Sequence, residues 1–237
     1  MPKAHDSWKV LPHGSIEKLS SRLWRVEGSL PAMPLKRVMA IAKRADGTLV
    51  VHNAIALSAD AMAEIDAWGE VSTLLVPNGW HRLDAVVFKR RYPSALVLCP
   101  GGSRKKVEEV MTVDGTYDDF AADEHVSLQT LDGTKRFEGV MLVRAEDTSL
   151  IVNDAVFNMP HLRGVQGFML KHLTHSSGGP RVSRIARLMM LDDKLAFAAH
   201  LERLAETPAL ARILVAHHET IEDDPRGALR RVAESLR

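Results

Sequence analysis

Residues 72 to 99 constrain this chain most. The apolar run "STLLV" at 72–76, a helix expected from about Trp80 to Arg91 and a second apolar run "ALVLC" at 95–99 follow one another almost without a break. Two buried strands separated by one helix can pair in parallel only through a crossover, and the twist of the strands makes that crossover right-handed. A mixed α/β fold follows from this unit alone.

The flanking segments extend the pattern. "RLWRVEG" at 22–28 alternates apolar and charged residues, "RVMAIAKR" at 37–44 is mostly apolar, and "GTLVVHN" at 47–53 is β-branched and follows an Asp-Gly turn. These three read as strands, with a hairpin between them. "LSADAMAEIDAWGEV" reads as a helix capped by Ser58 and stopped at Gly69. The acidic stretch 114–125 reads as a surface loop. Three more runs, "VSLQTL", "FEGVMLVR" and "TSLIVND", have turn residues between them and read as a meander. Residues 160 to 208 change character, with "LRGVQGFMLKHL", "HSSGGP", "RVSRIARLMML" and "DDKLAFAAHLERLAE", and are expected to be a mostly helical insertion. A last strand "ARILVAHH" at 211–218 and a helix "PRGALRRVAESLR" close the chain. There are more strands than one doubly wound sheet needs, so two packed sheets with helices outside are expected.

Composition excludes several classes. With 46% hydrophobic and 26% charged residues the chain is an ordinary globular sequence. Its 31 basic and 30 acidic residues leave a net charge of +1, which gives no bulk attraction to nucleic acid or to an anionic membrane. Neither partner is expected, and any basic contact must be local. No run approaches a membrane span and the first residues lack a signal-peptide core, so a cytoplasmic location is expected. The single cysteine, Cys99, ends an apolar run and reads as a small buried hydrophobe.

Polar groups repeatedly end the apolar runs: His52 and Asn53, Asn78 with His81, Asp154, and His217 with His218. Ligands of α/β folds collect at the carboxyl ends of strands, so these positions are better candidates than polar residues elsewhere. Each also has an ordinary reading, as an Asx turn at Asn53 and Asn78, a cap at Asp154, or solvated histidines at 217 and 218. "PGGSRKK" reads as a turn and a solvated helix face. His172 and His175, three apart, have helical metal spacing, but "SSGGP" beside them reads as a mobile loop.

The order "LWRVEGSL", "ADGTLVVHNAIALSADAMAEIDAWG", "LLVPNGWHRL", "YPSALVLCPGGSRKK", "FEGVMLVRAEDTSLIVNDAVFN" and "ILVAHHE" resembles an uncharacterised branch of the metallo-β-lactamase-like superfamily, over about residues 22 to 220. The resemblance implies a four-layer αββα sandwich spanning 1–237 as one domain. It also implies a metal-binding turn of the form His-x-His-x-Asp-His after a strand. Here Asn78, Trp80, Arg82 and Leu83 stand at those four ligand positions, while His81 is a histidine next to them. Asp154 matches the family's bridging aspartate and His217 its final histidine, and Glu138 is retained where the branch carries a glutamate.

Zinc takes neutral imidazole and carboxylate ligands and leaves a position for the water it acidifies. With so few histidines two ions lack ligands. The resemblance therefore implies at most one divalent ion (zinc, iron or manganese) on His81, Asp154 and His217, with Glu138 as fourth ligand or catalytic base, in a hydrolase-like protein. The competing reading is a non-catalytic domain without a metal that binds an anionic small molecule or a protein. In that reading Arg82 and Arg144, with Asn78, offer positive charge and hydrogen bonds where the metal once sat.

Overall fold

The computed structural model describes residues 4–31 and 33–237. The first half runs β1 (Glu17–Lys18), β2 (Leu23–Leu30), β3 (Met33–Lys43), β4 (Leu49–His52), α1 (Ala59–Trp68), β5 (Val71–Leu75), α2 (Ala85–Arg91), β6 (Leu96–Cys99), α3 (Arg104–Val107) and β7 (Gly115–Thr116). The second half runs β8 (Val126–Thr130), β9 (Gly139–Arg144), β10 (Thr148–Val152), β11 (Phe157–Met159), α4 (Gly164–His172), β12 (Gly179–Arg181), α5 (Arg184–Met189), α6 (Lys194–Ala205), β13 (Leu210–Leu214) and α7 (Pro225–Glu234). Among the described residues no helix is long and apolar enough to cross a membrane.

Strands β1 to β7 form one sheet in sequence order, antiparallel from β1 to β4 and parallel from β4 to β7. The parallel part contains the expected crossover, with α2 between β5 and β6. The second sheet has the order β13-β10-β9-β8; the meander β8-β9-β10 is antiparallel and β13 joins β10 in parallel. A small ribbon, β11 with β12, lies apart from both.

The four layers follow from the two-residue period of the strands. Along β5 and β6, Leu74 and Val97 face a core shared with Met62, Ile65 and Phe88 of α1 and α2, whereas their neighbours Leu75 and Leu98 face the opposite way. Along β9, β10 and β13, Leu142, Leu150 and Ile213 pack with Phe197, Leu201 and Leu229 of the outer helices, whereas Met141, Ile151 and Leu214 turn inward. The inward sets meet each other between the sheets. Strands apolar on both faces can only sit in the middle of such a sandwich, since each face needs its own cover. Helix, sheet, sheet and helix layers therefore stack around three cores.

Two sequence expectations need adjustment here. The helix expected from Trp80 begins only at Ala85, because the side chain of Asn78 accepts the backbone N–H groups of Trp80 and His81 and folds 78–84 into a turn. The acidic loop 114–125 contributes β7, an edge strand of two residues.

A candidate metal centre at the strand ends

The site lies where the strands of both sheets run out. Asn53 follows β4, Asn78 and His81 follow β5, Asp154 follows β10, and His217 follows β13. Asn53 sits at φ 58°, a left-handed conformation that asparagine tolerates better than most residues. That turn brings its side chain back over the edge of the sheet.

Among the described residues, one group of side chains could hold a metal ion: His81, Asp154 and His217, with one ligand atom from each lying within 4.8 Å of the others. His81 Nε2 is 3.0 Å from Asp154 Oδ2, and His217 Nε2 is 3.2 Å from Asp154 Oδ1. The two imidazole centroids are 5.2 Å apart, and Phe157 stacks on His217 at 5.6 Å.

The opposite nitrogen of each ring is held by an acceptor. His217 Nδ1 is 2.7 Å from the Lys36 carbonyl. His81 Nδ1 is 3.2 Å from Asn53 Oδ1, and the Asn53 amide is oriented by Nδ2 donating to the Val38 carbonyl at 2.8 Å. One stretch of β3 backbone, Lys36 to Val38, thus positions both rings. The same stretch is tied to the last strand's exit, where Val38 N–H donates to the Ala216 carbonyl at 2.9 Å.

Charge within the cluster is unevenly distributed. Burial alone would raise the Asp154 carboxyl, but the adjoining His81 ring and the hydrogen bond from His217 outweigh it and hold the group well below the usual carboxylate range. Burial would lower His217, yet its contacts with Asp154 and with the Lys36 carbonyl leave it raised. His52, buried beneath the site, is pushed down to about 3 by burial and by the nearby His81, so it stays neutral.

Several expected site residues have other roles. Asn78 is buried and fully used: Nδ2 donates to Glu138 Oε1 at 2.6 Å and to Asp154 Oδ2 at 2.9 Å, while Oδ1 accepts from Trp80 and His81. It braces the cluster and has nothing left for a ligand. Glu138 is buried behind Asn78, outside the group that could hold an ion. Burial, reinforced by the negative charge of Asp154, pushes its carboxyl well above its ordinary value of 4.5. Arg82 points away from the cluster, its guanidinium donating to Glu109 at 2.9 Å and to the Lys106 carbonyl. Arg144, at the end of β9, donates to Ser127 at 3.0 Å. Neither arginine lines the cavity beside the cluster. Both belong to surface pairs, because long side chains at turn and strand ends reach whichever partner packing brings near.

A folded carboxyl with a raised pKa binds its proton more tightly than the unfolded chain does, so its effect on stability is lost as pH rises above the unfolded value. Glu138→Gln needs no proton. It should be at least as stable as the unaltered chain at neutral pH, with metal content unchanged, in thermal melts and elemental analysis. A variant that melted well below the parent would overturn this expectation.

The cluster opens into a cavity of about 530 Å³. Its walls are mainly apolar, with Leu30, Leu35, Leu83, Phe157, Leu170 and Met189 among them, and His81, Asp154 and His217 at one side. Arg37 also borders it, but its charge is matched by the buried Asp84 carboxylate 2.6 Å away. Sequence reasoning misses this pair: Arg37 stands in a strand beside Lys36, where a solvated pair of charges is the usual sight. Cys99 is buried and pushed up to about 12, mainly by burial, so its thiol is inert.

Asn53→Ala would remove the acceptor that fixes the His81 ring. Loss of such outer partners typically costs about 10- to 100-fold in metal affinity. Competition with a chromophoric chelator should show a loss of that size, with a fold intact by circular dichroism.

Searches with the sequence match no protein-family model and no curated protein. Solved structures do match. A structure of the DIM-1 metallo-β-lactamase exposed to ceftazidime aligns with TM-score 0.63 at 12% identity, over 98% of this chain and all of the other. A metallo-β-lactamase from Hirschia baltica aligns at 0.59 and 12% identity, over 93% of this chain and 98% of that one. The FIM-1 metallo-β-lactamase from Pseudomonas aeruginosa, in its mono-zinc form, aligns at 0.59 and 11% identity, over 96% and 97%.

Proposed function

We propose that this chain, which has the metallo-β-lactamase fold, is a hydrolase that holds one divalent ion on His81, Asp154 and His217 and acts on a largely apolar acyl compound. One observation carries the reading. Each of the two imidazoles faces an acceptor through both nitrogens: Asn53 Oδ1 and Asp154 for His81, the Lys36 carbonyl and Asp154 for His217. A neutral imidazole has only one N–H to give. Without an ion, a neutral ring that gives its one N–H to Asn53 Oδ1 or to the Lys36 carbonyl turns its Nε2 lone pair toward the Asp154 carboxylate, an unfavourable arrangement. With an ion, both rings are neutral, donate through Nδ1 and present Nε2 lone pairs beside a carboxylate. That donor set suits zinc and agrees with outer partners that fix the tautomer.

Bound there, the ion would supply Lewis acidity, polarising a carbonyl and acidifying water. The chain's own residues do the rest. Asp154 contributes the negative charge, Asn78 holds Asp154 in place, and the Lys36–Val38 backbone aims the two rings. The apolar walls desolvate the acyl portion of a substrate and leave its polar end beside the cluster. The anion-binding alternative loses its support with Arg82 and Arg144 turned elsewhere.

The test is elemental analysis of protein purified without chelator, beside hydrolysis of p-nitrophenyl esters of increasing acyl length. About one equivalent of metal is expected. The specificity constant kcat/KM should rise by up to about fourfold per methylene while the cavity fills, and a chelator should abolish turnover. Less than about a tenth of an equivalent of metal, or turnover indifferent to chelator, sinks the reading.

A further inference from the structure

We propose that α4 and α5 dock this protein onto an anionic lipid surface. The inference stands whether or not the cluster holds an ion. Apolar residues one helical face apart are left exposed on both helices. On α4, Val165 is 78% exposed and Phe168 61%, with Leu173 at 58% just after the helix; on α5, Ile185 is 47% exposed, Leu188 81% and Met189 51%. The spacing at 165 and 168 and at 185, 188 and 189 keeps each set on one helical face, and Leu173 follows the end of α4. The helices adjoin, since Arg184 donates from its backbone to Thr174 and from its guanidinium to the carbonyls of His172 and Leu173. Single exposed apolar residues are ordinary, but a run of them on neighbouring elements marks a contact surface.

Charge identifies the occupant. Residues 155–191 contain no aspartate or glutamate, although the chain holds 30 in 237, about one in eight. The same stretch carries Arg163, Lys171, Arg181, Arg184 and Arg187, and His161, His172 and His175 join three of these around an open pocket. Bulk charge near zero thus conceals a segment of a single sign. A second copy of the chain is a poor occupant, because a symmetric contact would set these cations against each other. Nucleic acid would use the charges but not the aliphatic side chains, which offer no stacking platform. A bilayer with anionic headgroups uses both, taking apolar side chains into the acyl boundary and cations at the headgroups. Ile185 and Met189 also line the cavity beside the cluster, so its mouth opens on the docking face.

The experiment is co-sedimentation of the full chain with vesicles of phosphatidylcholine containing about one-third phosphatidylglycerol, against vesicles of phosphatidylcholine alone. Binding to the anionic vesicles should be at least about tenfold stronger and should weaken with salt. Leu188→Asp and Lys171→Glu should each lower it by about tenfold, with the melting temperature and the metal content unchanged. Equal partition into both vesicle types, no sedimentation, or variants that bind like the parent would overturn the proposal. So would a dimer in solution that Leu188→Asp dissociates without affecting vesicle binding, or tighter binding to a single-stranded oligonucleotide than to the vesicles.

Discussion

Asp154→Asn should purify with less than about one-tenth of the metal held by the unaltered chain, and its chelator-sensitive hydrolysis should fall by more than about 100-fold, beyond the range seen when only an outer partner is lost. The carboxylate supplies the only negative charge in the group of three, and both of its oxygens face imidazole nitrogens. An amide keeps the shape but brings a donor NH₂ into a place surrounded by donors, with Asn78 Nδ2 2.9 Å from Oδ2. The competing account, a metal-free cluster of two imidazolium rings and one carboxylate, predicts something different. There the substitution would strand two buried cations and destabilise the fold by about 3–5 kcal/mol, with no metal to lose. Elemental analysis and a melt on the same samples separate the two accounts. A parent without metal whose variant melts far lower supports the ion-pair cluster.

The second large effect lies on the cavity wall. Asp84→Ala should destabilise the fold by about 3–5 kcal/mol, the usual result of removing one partner from a buried charge pair. Asp84 is fully buried and serves three groups at once: Arg37 Nη2 at 2.6 Å, His5 Nδ1 at 2.8 Å and the Ala56 N–H at 3.0 Å. The Arg37 side chain is only 3% exposed, so its charge has no recourse to water once the carboxylate is gone. Replacing both partners by apolar residues, as Arg37→Met with Asp84→Leu, should recover much of the loss, because no uncompensated charge remains. Denaturant midpoints measure both. If the single variant loses less than about 1 kcal/mol, Arg37 reaches solvent through the cavity and the pair is not closed to water.

The cluster itself is largely legible in the sequence. His81, Asp154 and His217 are among the polar residues that follow apolar runs, and the resemblance to the metallo-β-lactamase-like superfamily singles them out as a ligand set. For Asn53 the ordinary reading as a turn and the role behind His81 are both true: the left-handed turn is what delivers the side chain. The neighbours of these residues are harder to read. Arg82 lies next to His81 and is expected at the site, but successive side chains in a turn diverge, and Glu109 and Lys106 claim it. Glu138 is expected as a ligand or base, and a glutamate's letter cannot tell whether the carboxyl will be hydrated or enclosed. Here it is enclosed, and enclosure pushes its carboxyl well above the ordinary value.

Which residues face which layer can be read along the chain, because a two-residue period along a strand and apolar spacing along a helix are local properties. The parallel crossover at 72–99 is local in the same way. The pairs are visible only in the folded chain: Arg37 with Asp84 across 47 positions, Asn78 with Glu138 across 60, and His217 with a carbonyl 181 positions earlier. These depend on how two sheets settle against each other, and that packing fixes direction, burial and charge state together. No local pattern carries that information, since each partner is an ordinary residue until the other arrives.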